Sequence, residues 1–269
     1  MEYKIDRLLI FDIKGAVAHF RKFYTNSSSL SYSFPPRTTI TGLIAGILGR
    51  ERDQYYEEFS TEKCKIAISI RTPVRKIMQT VNYIQTKSDK GGIKGVNLSA
   101  GHTQIPLEII LPDRGFEELK YRIYFYHKEQ VFEQLKKVLK EKKFVYPPYL
   151  GLSEFIGELE FIDCLEETDI MVYASKKDTT TDLVTVVNTE KIQEGGLIFE
   201  EDSGKILQYI KEQMPLEFDS QRNFKKGANF LYEKNNSNIK LKIKENYYKI
   251  NYNNSEKKEI EENIVFMES

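Results

Sequence analysis

The chain has 269 residues, with 40 Lys and Arg against 40 Asp and Glu, 40% hydrophobic and 12% aromatic side chains; this is enough for a sizeable core and excludes wholesale disorder. Cys64 and Cys164 stand 100 residues apart and only His19, His102 and His127 are present, so neither a disulfide framework nor a metal motif is expected, and a reducing cytoplasm is the expected setting. No apolar run approaches the roughly 18 residues of a membrane span, the opening residues lack a signal peptide's apolar length and cleavage site, and no membrane partner is expected.

Charge is polarised along the chain. Residues 1–50 carry seven basic and three acidic side chains, residues 63–95 eight basic against Asp89 alone, and residues 154–202 three basic against fourteen acidic. Either each run is a solvated face, or the basic half addresses a polyanion.

The first element is the half-polar run YKIDRLLIFDIKG, expected to be a strand with Tyr3, Ile5, Leu9, Phe11 and Ile13 as core candidates. After Pro35 and Pro36, Ile40, Leu43, Ile44 and Ile47 recur at helical spacing, with Thr38 or Thr39 able to cap the start. Gly42, Gly46 and Gly49 cost that helix about 1 kcal/mol each in propensity, which implies close packing. KCKIAISIRTPV reads as a strand, the Lys- and Gly-rich stretch 87–95 as an irregular basic loop, and QIPLEIILP and LKYRIYFYH as two strands around a turn at 112–115. KEQVFEQLKKVLKEKK has the clearest helical pattern, with Val131, Leu135, Val138 and Leu139 on one face. Strand, helix, three strands, helix is a ferredoxin-like (RRM-like) outline. From about residue 150 onward short strand-like runs (DLVTVVN, NFLYEK, IKLKIK, YYKINYN) define a β-rich region, with KKEIEEN as a polar surface tail. The expected class is therefore α+β, with domains at 1–149 and 150–269.

The densest polar and aromatic stretch is AHFRKFYTNSSSLSYSFPPRTTITG. Its Arg and Lys suit phosphates and its rings suit unpaired bases, the materials of single-stranded RNA binding. Phe20, Phe23, Tyr32 and Phe34 are equally able to be packing residues and the serines turn formers. Arg37 precedes a helix start, where it and the free backbone N–H groups can converge on a phosphate; pairing with a local carboxylate is the simpler role. Gly91 to Gly95 lacks the phosphate-loop spacing and the following Ser or Thr, so no nucleotide cofactor is expected. His19 with Lys22 or Tyr24 supplies proton-transfer groups for metal-independent RNA cleavage if the fold brings them together.

The stretches Leu8 to Lys14, AHFRKFYTNSSSLSYSFPPRTTITGLIAGILG and YPPYLGLSEFIG (146–157) resemble the CRISPR-associated "Cas-five" family, a repeat-associated (RAMP superfamily) group, and especially its type I-B branch. The resemblance implies a ferredoxin-like amino-terminal domain with a basic β-hairpin thumb near 76–104, and a variable β-rich region after it. It implies a subunit that caps the repeat-derived 5-prime handle of the guide RNA in the Cascade surveillance complex. Its partners would be the backbone subunit, the large subunit and, indirectly, target DNA read by guide pairing. It places Arg21, Lys22, Tyr24, Asn26, Ser27, Ser28, Tyr32 and Arg37 near the handle, and Lys76, Lys87, Lys90 and Lys94 on the thumb. Arg21, Lys22 and Arg37 would meet phosphates, Tyr24 or Tyr32 would stack on bases, and Asn26 to Ser28 would supply hydrogen bonds.

One branch of the family cuts precursor guide RNA, whereas this chain is more similar to the non-cutting branch, so no catalytic residue, metal or cofactor is expected. The competing readings are a metal-independent endoribonuclease acting on repeat RNA and a protein-only scaffold whose basic motif faces solvent.

Overall fold

Leu8 to Ile13 are all buried, on both faces of strand β1 (Arg7–Gly15), which makes this the central strand of the molecule rather than a half-buried one. The computed structural model describes residues 4–25, 29–84, 102–175, 179–199 and 207–268; Tyr3 lies outside them. Helix α1 (Arg37–Ile47) follows, then β2 (Cys64–Ile70), the long strands β3 (Val74–Ile84) and β4 (His102–Pro112), β5 (Leu119–His127), α2 (Val131–Glu141) and β6 (Glu158–Glu166). Four of these form an antiparallel sheet in the order β2-β5-β1-β6. With the two helices intervening, that order is consistent with a ferredoxin-like arrangement. The molecule is a mixed α+β fold, mostly antiparallel sheet with few short helices.

The two strands expected around the turn at 112–115 are both present, and they are not each other's partners. β4 pairs with β3 over their full length, from Val74 opposite Pro112 to Ile84 opposite His102. Both edges of β5 are already taken, by β1 and β2, so β4 has no place beside it. At a rise of about 3.4 Å per residue, the β3–β4 hairpin extends roughly 35 Å, with exposed side chains along most of β3.

α1 begins without a side-chain cap: Pro36 holds the N-cap position, so the expected capping by Thr38 or Thr39 does not occur. It ends where Gly49 turns to φ +70, its N–H reaching the Gly46 carbonyl and that of Arg50 the Ala45 carbonyl, the paired bonds of a Schellman stop. α2 buries Val131, Phe132, Leu135 and Leu139, close to the face expected from its pattern.

Beyond the helical unit come β7 (Ile170–Tyr173), β8 (Thr180–Leu183), β9 (Ile192–Leu197), β10 (Tyr209–Phe218), β11 (Phe224–Glu233), β12 (Ile239–Ile243), β13 (Tyr247–Asn253) and β14 (Glu259–Ile264). These strands close both faces of the central sheet. On one face Met214, Leu216, Phe230 and Tyr232 of the β10–β11 hairpin join the core of Leu9, Phe11, Ile68, Phe125 and the two helices. On the other, Ile250, Tyr252 and Ile264 pack on Leu8, Ile10 and Tyr124. The sheet strand β6 lies past residue 149, and the core is continuous across that point. The stretch read as a polar tail is corrected to β14, because Glu262 is buried: it accepts from Arg71, Tyr124 and Tyr252 and so replaces water for its charge. Beside this network Asp12 takes a two-pronged bond from Arg122, at 2.7 and 2.8 Å. No helix among the described residues is long and apolar enough to cross a membrane.

Candidate functional site

A cleft of about 1140 Å³ opens between α1, the base of the β3–β4 hairpin and the loop 146–156. The hairpin base is fixed by bridges from Ala18 to Ile110 and from Ser29 to Leu107. One wall is α1, where Thr38, Gly42 and Gly46 follow at intervals of four and present small groups. A Cβ on Gly42 would stand 3.2 Å from the Tyr55 hydroxyl, and one on Gly46 would meet nothing within 4 Å. The glycines therefore keep this wall low beside Tyr55 and open toward the cleft.

The opposite wall is built by the YPPYLGLSEFIG motif. The His19 N–H donates to the Leu150 carbonyl at 2.9 Å, and the Gly157 N–H closes the loop on Pro148 at 3.0 Å. Gly151 adopts φ +95 and a Cβ there would lie 1.7 Å from the His19 carbonyl oxygen, so only glycine fits. The tight turn leaves Tyr146, Tyr149 and Ile156 exposed at 59%, 48% and 63%, and Tyr83 of β3 faces the same cleft at 38%. Among the described lining residues there is no carboxylate, and Arg21 is the one permanent cation. Such a lining suits flat, partly apolar groups better than a phosphate chain.

His19 is buried beneath the cleft, its Nδ1 2.8 Å from the Glu108 carbonyl and its Nε2 3.0 Å from Ser29 Oγ. Since a carbonyl only accepts, Nδ1 carries the proton and Nε2 accepts from Ser29. Burial lowers its pKa against the opposing Glu108 bond, so the ring stays neutral and ties the hairpin base to the segment 18–29. Its partners are thus Glu108 and Ser29 rather than the Lys22 or Tyr24 expected for proton transfer. His127 is likewise buried, bonded to the Glu58 carbonyl and the Glu129 N–H. No group of three or more metal-ligating side chains occurs among the described residues.

The motif residues divide by environment. Arg21 is exposed, its Nη2 donating to the Thr25 carbonyl at 3.2 Å, and Tyr24 is 51% exposed. Lys22 is largely covered: its Nζ meets Glu212 at 2.9 Å and lies 5.6 Å from the Tyr32 ring centre. Burial alone would lower the Lys22 pKa, and Glu212 raises it above the usual value instead. Lys76 folds back on the hairpin base, donating to the Ser31 carbonyl and pairing with Glu108 at 3.4 Å; here burial prevails and its pKa is lowered. Asn26, Ser27, Ser28, Lys87, Lys90 and Lys94 lie outside the described residues.

Two expectations are corrected. Tyr32 is fully buried, with its hydroxyl on the Gln213 carbonyl at 2.8 Å, so its ring has no free face for a base. Arg37 is 2% exposed and ion-paired with the wholly buried Glu268. Its Nη1 donates to Leu216 O at 3.2 Å and its Nη2 to Phe59 O and Cys64 O, both at 2.9 Å. Burial alone would depress its pKa, yet the Glu268 charge raises it. Every nitrogen is spent inside the protein, so the simpler role, a carboxylate partner, holds, although that partner lies 231 positions away. The cleft residues Tyr83, Tyr146, Tyr149 and Gly46 were not singled out for function from the sequence. The signal for two of them was the aromatic-proline run 146–149, which has no apolar periodicity to explain its rings.

Residues 8–230 match the family described as CRISPR-associated protein (Cas_Cas5). The chain belongs to this family. No curated protein matches it. Among solved structures it is similar to a chain of a "CRISPR RNA-guided surveillance complex", with 13% identity over 87% of this chain and 91% of that one and a TM-score of 0.45. It is similar also to a "Cas protein" (14% identity, 86% and 95% covered, TM-score 0.46). A functionally uncharacterized protein from Streptococcus mutans matches at 14% identity, 88% and 94% covered, TM-score 0.31.

Proposed function

We propose that the chain is a non-catalytic guide-RNA-binding subunit of a Cascade-type CRISPR surveillance complex of type I-B, seating the repeat-derived 5-prime handle beside the backbone and large subunits. The observation that carries this reading is the cleft at the foot of a long protruding hairpin. Four tyrosines and a glycine-lined helix wall offer stacking faces and close approach, while exposed Arg21 stands at the edge for a phosphate. Bases point inward and the charged backbone stays outside, toward Arg21 and the hairpin. Membership of a CRISPR-associated family is what turns a generic stacking cleft into a guide-RNA seat. The thumb lysines 87, 90 and 94, and Asn26 to Ser28, belong to the same reading through the family resemblance.

Co-expression of the tagged chain with a guide array and the neighbouring CRISPR proteins, followed by sequencing of the retained RNA ends, tests it. Discrete guides sharing one repeat-derived 5-prime end are expected. An intact assembly without such RNA would favour the scaffold reading, and chelator-resistant cleavage of repeat RNA by the purified chain would favour the endoribonuclease.

A further inference from the structure

Away from the cleft, three large aromatic side chains from two distant parts of the chain stand exposed together: Phe23 at 39%, Tyr24 at 51% and Phe224 at 47%. The rings of Phe23 and Phe224 are stacked, centroids 5.1 Å apart with 7° between planes, and Tyr24 meets Phe23 edge-on at 5.3 Å. Phe224 is also held from its own hairpin. Phe218 contacts it edge-on at 6.3 Å, and Gly227 makes room for it, since a Cβ there would stand 2.7 Å from Phe224 Cζ. These rings are fixed in place yet leave about half their surface in water, an arrangement that core packing does not require.

Arg21 connects this cluster to the cleft. It lines the cleft, donates to the carbonyl of Thr25 in the turn that carries Phe23 and Tyr24, and has no carboxylate within 4.0 Å among the described residues. Lys225, next to Phe224, is 53% exposed and its nearest acid is Glu217 at 3.4 Å. An exposed aromatic cluster alone would suit a protein partner equally well. The unpaired guanidinium between cluster and cleft favours a polymer in which anionic groups alternate with flat ones.

We infer that Phe23, Tyr24 and Phe224 form a second stacking platform, for unpaired RNA bases of a strand that leaves the cleft past Arg21. This rests on the RNA-binding reading above and extends it to the β10–β11 hairpin, which carries no recognisable motif. Stacking of this kind tolerates any base, so the platform adds affinity rather than sequence choice.

The test uses the full chain, a fluorescein-labelled oligoadenylate of about 12 nucleotides, and the same oligomer carrying 2-aminopurine, whose emission is quenched on stacking. Phe224→Leu keeps apolar bulk and removes the aromatic face, whereas Phe224→Tyr keeps the face; thermal melts establish that both variants are folded. Phe224→Leu is expected to weaken binding about tenfold and to relieve the quenching, with Phe224→Tyr close to the parent. Equal affinity and equal quenching for parent and Phe224→Leu overturn the platform while leaving the cleft reading intact. Unchanged RNA binding with loss of a co-purifying neighbour subunit overturns it in favour of a protein-docking face. Failure of the parent chain and its assembled complex to bind any RNA removes the broader reading, and is recognisable because it precedes any substitution.

Discussion

Replacing Arg37 separates a structural from an RNA-contacting role at the motif's most conspicuous cation. Arg37→Ala leaves Glu268, whose side chain is fully buried, with only the Ile66 N–H at 3.0–3.1 Å among the described residues, and strips a donor from the Leu216, Phe59 and Cys64 carbonyls. Breaking a buried pair by removing one partner costs about 3–5 kcal/mol, because the remaining charge is uncompensated. Against a typical total of about 5–15 kcal/mol, that is at least about a fifth of the stability of an ordinary domain. Arg37→Lys keeps the charge but not the fork; losing about two bonds at 0.5–1.5 kcal/mol each predicts a loss of about 1–3 kcal/mol. Glu268→Gln should cost nearly as much as Arg37→Ala, since it strands the guanidinium. Replacing both residues with apolar ones of similar volume should recover much of either loss. The chain has no tryptophan and 17 tyrosines, so urea unfolding is followed by far-UV circular dichroism with tyrosine emission as the second probe. An Arg37→Ala midpoint matching the parent to within about 0.5 kcal/mol, together with weakened RNA retention, would refute the burial argument and restore the phosphate role.

Gly151→Ala places a methyl group 1.7 Å from the His19 carbonyl in a φ +95 conformation, so a destabilisation well above 1 kcal/mol is expected in a thermal or urea melt. Gly46→Ala should do the opposite, raising stability by about 0.5–1 kcal/mol because the added Cβ meets nothing. Gly46→Phe should leave the melt near the parent while reducing retained RNA, and unaltered retention would count against the cleft as the seat. His19 and His127 are both held neutral by burial, which lowers their pKa against opposing hydrogen bonds. The unfolded chain therefore binds more protons just below the ordinary histidine value of 6.5, and stability present above it is lost as pH falls toward the folded values. Urea midpoints that stay level or rise from about pH 7.5 to about pH 5.5 would contradict this. Arg21→Ala should weaken RNA binding and flatten the log–log salt dependence by about one unit, whereas an unchanged slope would remove Arg21 from the phosphate contacts.

Local pattern was enough to locate most elements. α2 shows its buried face in the spacing of Val131, Leu135 and Leu139, and the strands at 64–70, 119–127, 239–243 and 247–253 follow from short apolar or alternating runs. The family too was legible, because the Ser-aromatic stretch and YPPYLGLSEFIG are dense enough to carry a resemblance by themselves. Pairing was less accessible: β4 and β5 are both good strands, and the partner of each depends on which edges elsewhere are free. The same limit governs the site. Whether Arg37 meets solvent depends on Cys64, Leu216 and Glu268, and whether Lys22 is free depends on Glu212, 190 positions away. Spacing along the chain contains none of this. Residue types and short-range periodicity were therefore determined by the sequence alone, while the division of one motif into exposed Arg21 and Tyr24 and buried Tyr32 and Arg37 was decided by long-range packing, since only the folded chain sets which charges lose their water and must find a partner inside.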